Sequence, residues 1–163
     1  MLRLGGLAAT VDEATAKVRA ALASGTGLEL FRRMVERQGG DPRVVDDPAR
    51  LPAAPRRGVV VAVRPGYVAA LDAEGIGRAA VALGAGRDRA EDAVDPAVGA
   101  VVHARVGDTV KAGDALVELH YRDAARVSAA RDLVRAACVI ADEPPATGPL
   151  VLEVIEGQTP AHG

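Results

Sequence analysis

The segment best suited to chemistry in this 163-residue sequence is Leu83-Gly84-Ala85-Gly86-Arg87. Glycine lets a phosphate group or a partner backbone approach closely, and arginine can donate two parallel hydrogen bonds to an anion. Because the segment follows a predicted helix and not a strand, it fits neither a Walker loop nor a dinucleotide-binding fingerprint. Two interpretations stay open: the end of a helix at a left-handed glycine, or a mobile functional loop that includes Gly84, Gly86 and Arg87.

The histidines are a second candidate for chemistry, and they are His103, His120 and His162. We find no cysteine or carboxylate at metal-ligand spacing to His103 or His120. A core or surface role is therefore favoured over that of a metal ligand or a general base, and we predict no metal site.

The remaining candidates are one thiol and a pair of carboxylates. Cys138 is the only cysteine, which excludes an intramolecular disulfide, and we expect it to be a small buried side chain. Asp46 and Asp47 could serve acid–base or metal chemistry, but they lie in a proline-rich stretch. A turn or helix-capping role is therefore favoured for both.

A glycine-turn pattern, V-G-D-x-V-x-x-G-D-x-L, runs from Val106 to Leu116. It is similar to the turns of biotinyl and lipoyl carrier domains. A carrier needs a modified lysine at a tight hairpin tip, whereas Lys111 lies inside the turn pattern itself. The pattern indicates a shared architecture without the carrier chemistry.

The composition excludes several classes of protein. The chain is 49% hydrophobic and 26% charged, with a formal net charge of −2, which is typical of a globular protein. The slightly negative net charge and the small number of aromatic residues, three in all, argue against a nucleic-acid partner. A signal peptide and a run of about 18 apolar residues are both missing, so we expect a cytoplasmic protein without a membrane partner. Met1 to Leu7 resembles a helix end, and we expect Met1 to be internal to a longer protein.

Helix and strand signals then place these residues on elements. The capping box Thr10-x-x-Glu13 predicts a helix that closes at Ser24-Gly25, and a second helix is predicted over residues 28–38. Strands are predicted over 59–63, 67–71, 98–106, 115–119 and 150–155, and further helices over 73–83 and 122–137. The fold class is therefore α+β with mainly antiparallel strands, and we expect a frayed tail after Glu156.

Short segments with distinctive residues stand in order along nearly the whole chain. They include Thr10-Val-Asp-Glu-Ala14, Gly27-Leu-Glu-Leu-Phe31, Gln38-Gly-Gly-Asp41, Val44-Val-Asp-Asp-Pro48, Gly66-Tyr-Val68, Leu83-Gly-Ala-Gly-Arg87, Asp95-x-x-Val-Gly99 and Val106-Gly-Asp-x-Val-x-x-Gly113. No single segment is specific, but the ordered series is. It resembles the C-terminal part of the thymidine and pyrimidine-nucleoside phosphorylases.

The resemblance implies a homodimer that carries out reversible phosphorolysis. Thymidine or uridine would react with inorganic phosphate as co-substrate, without a cofactor, to give the free base and a sugar 1-phosphate. Residues 1–40 would be a helical hairpin from the tail of the family's α domain, and residues 41–57 a proline-rich linker. Residues 58–163 would be an α/β-hammerhead module with barrel-sandwich character.

The family's phosphate-cradling and base-reading motifs lie upstream of the matched region, and none occurs in this sequence. The resemblance therefore assigns no catalytic and no phosphate-binding residue, and we expect this chain alone to be inactive. The partners would be the upstream α and α/β domains, with Gly84, Gly86 and Arg87 as a domain-closure contact. A stand-alone barrel-sandwich binding or carrier-like module, or a truncated pseudogene product, stays open as an alternative.

Overall fold

The computed structural model describes residues 1–87, 90–91, 93–146, 148–149 and 151–155. The chain divides into two units, Met1–Pro52 and Ala53–Gly163. In the described residues the helices are α1 (Val11–Ala23), α2 (Thr26–Arg37), α3 (Ala73–Ala80) and α4 (Ala124–Ala137). The strands are β1 (Arg56–Val61), β2 (Gly66–Leu71), β3 (Gly99–Val102), β4 (Thr109–Val110), β5 (Ala115–Tyr121) and β6 (Cys138–Ala141).

In the first unit, α1 begins directly after Thr10, the residue that the sequence predicts as its cap. The Thr10 hydroxyl oxygen accepts a hydrogen bond from the Glu13 amide at 3.1 Å. The Glu13 carboxylate in turn accepts one from the Ala9 amide at 2.8 Å. These bonds satisfy backbone donors that a helix N-terminus leaves unpaired, and they confirm the predicted helix start. The helix α2 begins after Gly25, two residues before its predicted start. Of the helices in the described residues, none is long and apolar enough to cross a membrane.

Two short 3₁₀ helices, Pro42–Val45 and Pro48–Arg50, lie within the stretch predicted as a linker. The Asp47 carboxylate caps the second of them by accepting from the backbone amide two residues further on, at 3.2 Å. The Asp46 carboxylate accepts from both Nη atoms of Arg32, at 2.6 and 2.8 Å. The two adjacent aspartates therefore take structural roles, as the sequence favoured.

Within its described residues, the second unit contains two three-stranded sheets, with strand orders β1-β5-β3 and β4-β2-β6. Every pair of neighbouring strands is antiparallel, which confirms the predicted α+β class. Valine and leucine side chains from both sheets and from α4 are buried together, because β-branched and branched side chains pack well on a pleated surface. The most deeply buried of them are Val68, Val117, Leu119 and Val134.

Several strands begin or end at other residues than predicted, because pairing with a neighbouring strand decides where a strand begins and ends. The strand β1 already begins at Arg56, and β3 ends at Val102, four residues before its predicted end. The short strands β4 and β6 were not predicted, because two and four residues carry little periodicity. The strand predicted over 150–155 is wrong for residues 151–155, which are exposed and in no strand. A segment with strand propensity forms a strand only where a neighbouring strand is present to pair with it. The predicted frayed tail lies outside the described residues.

A glycine turn joins the sequence after β3 to β4. The Arg105 carbonyl accepts from the Asp108 amide at 3.0 Å, and the Asp108 carboxylate accepts from the Arg105 amide at 2.7 Å. Gly107, the third residue of the turn, has a φ of +96°, which is why glycine stands there. Its amide donates to the Val68 carbonyl in β2 at 2.9 Å.

A second turn repeats these bonds six residues later. The Lys111 carbonyl accepts from the Asp114 amide at 3.0 Å, and the Asp114 carboxylate accepts from the Lys111 amide at 2.8 Å. The Gly113 amide donates to the Ala62 carbonyl at 2.8 Å. Lys111 therefore occupies the first position of a turn. The chain between β5 and β6 forms the helix α4 and not the tight hairpin that a carrier requires.

Candidate functional site

The candidate segment Gly84–Arg87 begins where a helix ends. The Asp72 carboxylate caps α3 by accepting from two backbone amides of its first turn, both at 3.1 Å. After α3 the chain forms one wider helical turn over Val81–Ala85, inside which Gly84 has a φ of +109°. The interpretation of Gly84 as a left-handed glycine at a helix end is therefore confirmed, while the functional role of the loop stays a prediction.

Gly86 and Arg87 complete the segment. A Cβ atom at Gly86 would lie 2.5 Å from Cγ2 of Val81, so a side chain there would have to displace the valine. Arg87 is exposed, which leaves its guanidinium accessible to a partner surface. The exposed Arg87 therefore directly follows a position, Gly86, where the packing of Val81 favours a residue without a side chain.

Asp95 holds the base of this turn, a role that the sequence analysis missed. The Asp95 amide donates to the Gly84 carbonyl at 3.0 Å. The Asp95 carboxylate accepts from Nε of Arg122 at 2.5 Å and from the Ala97 amide at 3.0 Å. Both bonds hold the pKa of Asp95 below its usual value, the bond from Arg122 most of all. An aspartate before a proline is a common turn former, and this was the one local signal available.

The helix α4 contributes a second arginine near the turn. Nη1 of Arg126 lies 3.5 Å from the position that a Cβ atom of Gly84 would occupy. Nε of Arg126 also lies 3.9 Å from the carboxylate of Asp123, the N-cap of α4. Two arginines therefore lie close to the Gly84 turn. Arg122 bonds to Asp95, whose amide bonds to the Gly84 carbonyl, and Arg126 lies beside Gly84 itself.

Glu118 stands between His103 and His120, a contact that the sequence analysis did not predict. Nε2 of His120 lies 2.7 Å from Oε1 of Glu118, and Nε2 of His103 lies 3.9 Å from Oε2. Nη1 of Arg57 lies 3.6 Å from Oε1. Residues two apart on a strand share a face, and this explains why Glu118 and His120 meet. In the described residues no three His, Cys, Asp or Glu side chains are placed to hold a metal ion, and His162 lies outside those residues.

Cys138 stands at the junction of α4 and β6 and is only partly buried, less than expected. Burial raises the pKa of its thiol, which disfavours the nucleophilic thiolate. The described residues around it therefore give it a packing role.

Comparison with known proteins identifies the relatives of the chain. Residues 67–141 match the pyrimidine nucleoside phosphorylase C-terminal domain. The chain is 43% identical over 120 residues to the pyrimidine-nucleoside phosphorylase of Bacillus subtilis, an alignment that covers 74% of this chain and 28% of that protein. It is 42% identical over 146 residues to the thymidine phosphorylase of Burkholderia cenocepacia, with 87% of this chain and 33% of that protein covered. The chain thus spans about a third of the length of the curated relatives it matches.

Proposed function

Because this chain corresponds to the C-terminal portion of the thymidine and pyrimidine-nucleoside phosphorylase family, we propose that it completes an enzyme of pyrimidine-nucleoside phosphorolysis. In that reaction an oxygen of hydrogen phosphate forms a bond to C1′ of the sugar while the bond from C1′ to the base nitrogen breaks. The electron pair of the broken bond and the proton of the phosphate go to the base. Positioning of the two reactants and stabilisation of the charge that develops on the sugar supply the rate.

The role of this chain in the reaction is structural, and none of its residues is assigned to catalysis or to phosphate binding. It contributes the turn of Gly84, Gly86 and Arg87 to the closure of the intact enzyme around its reactants. One observation carries this role. The turn presents an exposed arginine, Arg87, while the Asp95 amide holds the start of the turn by donating to the Gly84 carbonyl. By itself the chain is inactive.

The second unit is proposed to be an α/β-hammerhead with barrel-sandwich character, within the predicted limits 58–163. Two three-stranded antiparallel sheets support this assignment. So do the two equivalent glycine turns, since the Gly107 amide donates to the Val68 carbonyl in β2 and the Gly113 amide donates to the Ala62 carbonyl directly after β1. The limits 1–40 for the helical hairpin and 41–57 for the linker remain predictions.

The first unit is proposed to dock on the upstream domains of the intact enzyme, which would be a homodimer. Large apolar side chains on α1 and α2 are exposed, among them Leu22 at 77% and Leu30 at 68%. Large apolar side chains that stay exposed on two successive helices are suited to an interaction surface. The relatives are more than two and a half times as long as this chain, and their remaining length provides a partner of the required kind.

A chimera tests the proposed function. In the Bacillus subtilis relative, the 120 matching residues are replaced by the corresponding residues of this chain. We expect the chimera to phosphorolyse uridine or thymidine, and the same relative without its C-terminal third to be inactive. Activity of this chain alone at a rate near that of the chimera would contradict the proposal.

Substitution of Arg87 tests the closure contact in the same chimera. We expect Arg87→Ala to lower kcat about tenfold, the order of effect of losing one charge-assisted hydrogen bond. The control is Arg78→Ala, which removes an exposed arginine paired with Glu74 on α3 and should leave kcat unchanged. Equal kinetics of Arg87→Ala and the unsubstituted chimera would remove the closure contact from the proposal.

A further inference from the structure

Asp95 is the residue at which three segments of the second unit meet. Its amide donates to the Gly84 carbonyl at 3.0 Å, and its carbonyl accepts from the Val98 amide at 3.4 Å. Its carboxylate accepts from the Ala97 amide at 3.0 Å and from Nε of Arg122 at 2.5 Å. One residue therefore links the turn after α3, the start of β3 and the residue that precedes the cap of α4.

The backbone of Gly84 makes this arrangement possible. A Cβ atom at Gly84 would lie 3.5 Å from Nη1 of Arg126 and 3.7 Å from Cγ2 of Val98. With a φ of +109°, the position strongly favours glycine. The turn is thus enclosed by Asp95 at its base and by Arg126 at its side.

We propose that Asp95 and Arg122 form a clasp that positions the Gly84–Arg87 turn for its contact in the intact phosphorylase. The inference rests on the proposed function and adds two positioning residues to it. Neither residue contacts a reactant in this assignment, because both act through the placement of Arg87. Asp95 sets the position of the Gly84 carbonyl three residues before Arg87, and Arg122 fixes the orientation of the Asp95 carboxylate.

The clasp is suited to fixing a local geometry more than to stabilising the fold. The Arg122 side chain is 53% exposed, and exposed ion pairs contribute little to global stability. The bonds that Asp95 makes are nevertheless specific in direction, since they join the Gly84 carbonyl to the Ala97 and Val98 amides. Loss of the clasp is therefore expected to change the turn while leaving the sheets in place.

Amide hydrogen exchange in the full chain tests whether the clasp holds the turn. In Arg122→Met we expect the amides of Asp95 and Ala97 to exchange about tenfold faster, because a charge-assisted hydrogen bond contributes on that order. Arg122→Lys keeps the charge and should recover part of the protection. The control is Arg135→Ala, which removes an arginine on α4 that lies 3.5 Å from Asp132 and should change neither amide.

The pH dependence of the same exchange separates the clasp from a general loss of structure. Arg122 and the Ala97 amide lower the pKa of Asp95, so the carboxylate form is favoured in the folded protein. Protection should persist at the usual pKa of an aspartate and be lost only as the pH falls through the lowered value. In Asp95→Asn the protection should be weaker and should show no such transition.

Kinetics of the chimera test whether the clasp acts through Arg87. We expect Arg122→Met to lower kcat about tenfold with KM for the nucleoside nearly unchanged, because the clasp affects placement and not ground-state binding. The double variant Arg122→Met/Arg87→Ala should be no slower than Arg87→Ala alone, since both substitutions remove the same contribution, that of Arg87.

The outcomes distinguish this inference from the function on which it rests. Unchanged exchange in Arg122→Met would overturn the clasp. Faster exchange with an unchanged kcat, in a chimera that Arg87→Ala does slow, would overturn its positioning role. An unsubstituted chimera without activity would overturn the proposed function, and the positioning role with it.

Discussion

At the scale of single residues, two glycines of the second unit lead to opposite expectations for the same substitution. A Cβ atom at Gly66, where φ is +151°, would overlap the carbonyl oxygen of Ala141, whereas Gly77 in α3 has no atom within 4 Å of its Cβ position. We expect Gly66→Ala to lower the free energy of unfolding by about 2–4 kcal/mol through strain and overlap. We expect Gly77→Ala to raise it by about 0.5–1 kcal/mol. Urea unfolding followed by circular dichroism measures both.

The same pair provides its own control, since the two variants add an identical methyl group. A Gly66→Ala variant as stable as the original chain would contradict the pairing of β2 with β6, in which Tyr67 lies opposite Ala141. A Gly77→Ala variant with a large loss of stability would contradict the open face of α3.

The functional residues show how far sequence reasoning reaches at this scale. Gly84 could be recognised because a glycine after an apolar helix is a local signal of its end. Glu118 could have been recognised from its position two residues before His120, because alternate residues of a strand share a face. The bond from Arg122 to Asp95 could not, since these residues are 27 apart in the sequence and only the packing of α4 beside the turn brings them together.

At the scale of elements, the first 3₁₀ helix, Pro42–Val45, is flanked by two aspartates, Asp41 and Asp46, whose ion pairs depend in strength on pH. Arg32 lowers the pKa of Asp46, and Arg43 lowers that of Asp41. A lowered pKa favours the folded state above the ordinary aspartate value of about 3.9, and this contribution is lost as the pH falls through the lowered value. We expect both carboxyl groups to titrate below about 3.9 when followed by carbon-13 NMR.

Two substitutions serve as controls for each other in this titration. Arg32→Gln should return the pKa of Asp46 toward its ordinary value while leaving Asp41 low, and Arg43→Gln should do the reverse. An Asp46 carboxyl group that titrates at the same pH with and without Arg32 would show that the bidentate contact at 2.6 and 2.8 Å does not persist in solution.

The elements also differ in how well the sequence predicts them, because helices and strands depend on different information. Helix starts follow local caps, and the structure has α1 and α3 beginning directly after Thr10 and Asp72. A strand instead depends on a partner that can be distant in the sequence, as β1 pairs with β5. This is why β4 and β6 were missed, and why residues 151–155 form no strand despite their β-branched composition.

At the scale of the whole molecule, the two units differ in the apolar surface that they bury. Neither α1 nor α2 contains a buried residue. The hydrophobic core, from Ala54 to Val134, lies in the second unit. Because folding requires enough buried apolar area to offset the loss of chain entropy, only the second unit has the means to fold without help.

Separate expression of the two units tests this difference. We expect Ala53–Gly163 to unfold in one cooperative thermal transition, since it retains both sheets, α3 and α4. We expect Met1–Pro52 to lose its circular dichroism signal gradually, because α1 and α2 have 13 and 12 residues and isolated helices of that length are marginal in water. The full chain, measured under the same conditions, is the control. A sharp transition in Met1–Pro52 would mean that its helices are stable without a partner, and the exposed apolar side chains of α1 and α2 would no longer support docking on an upstream domain.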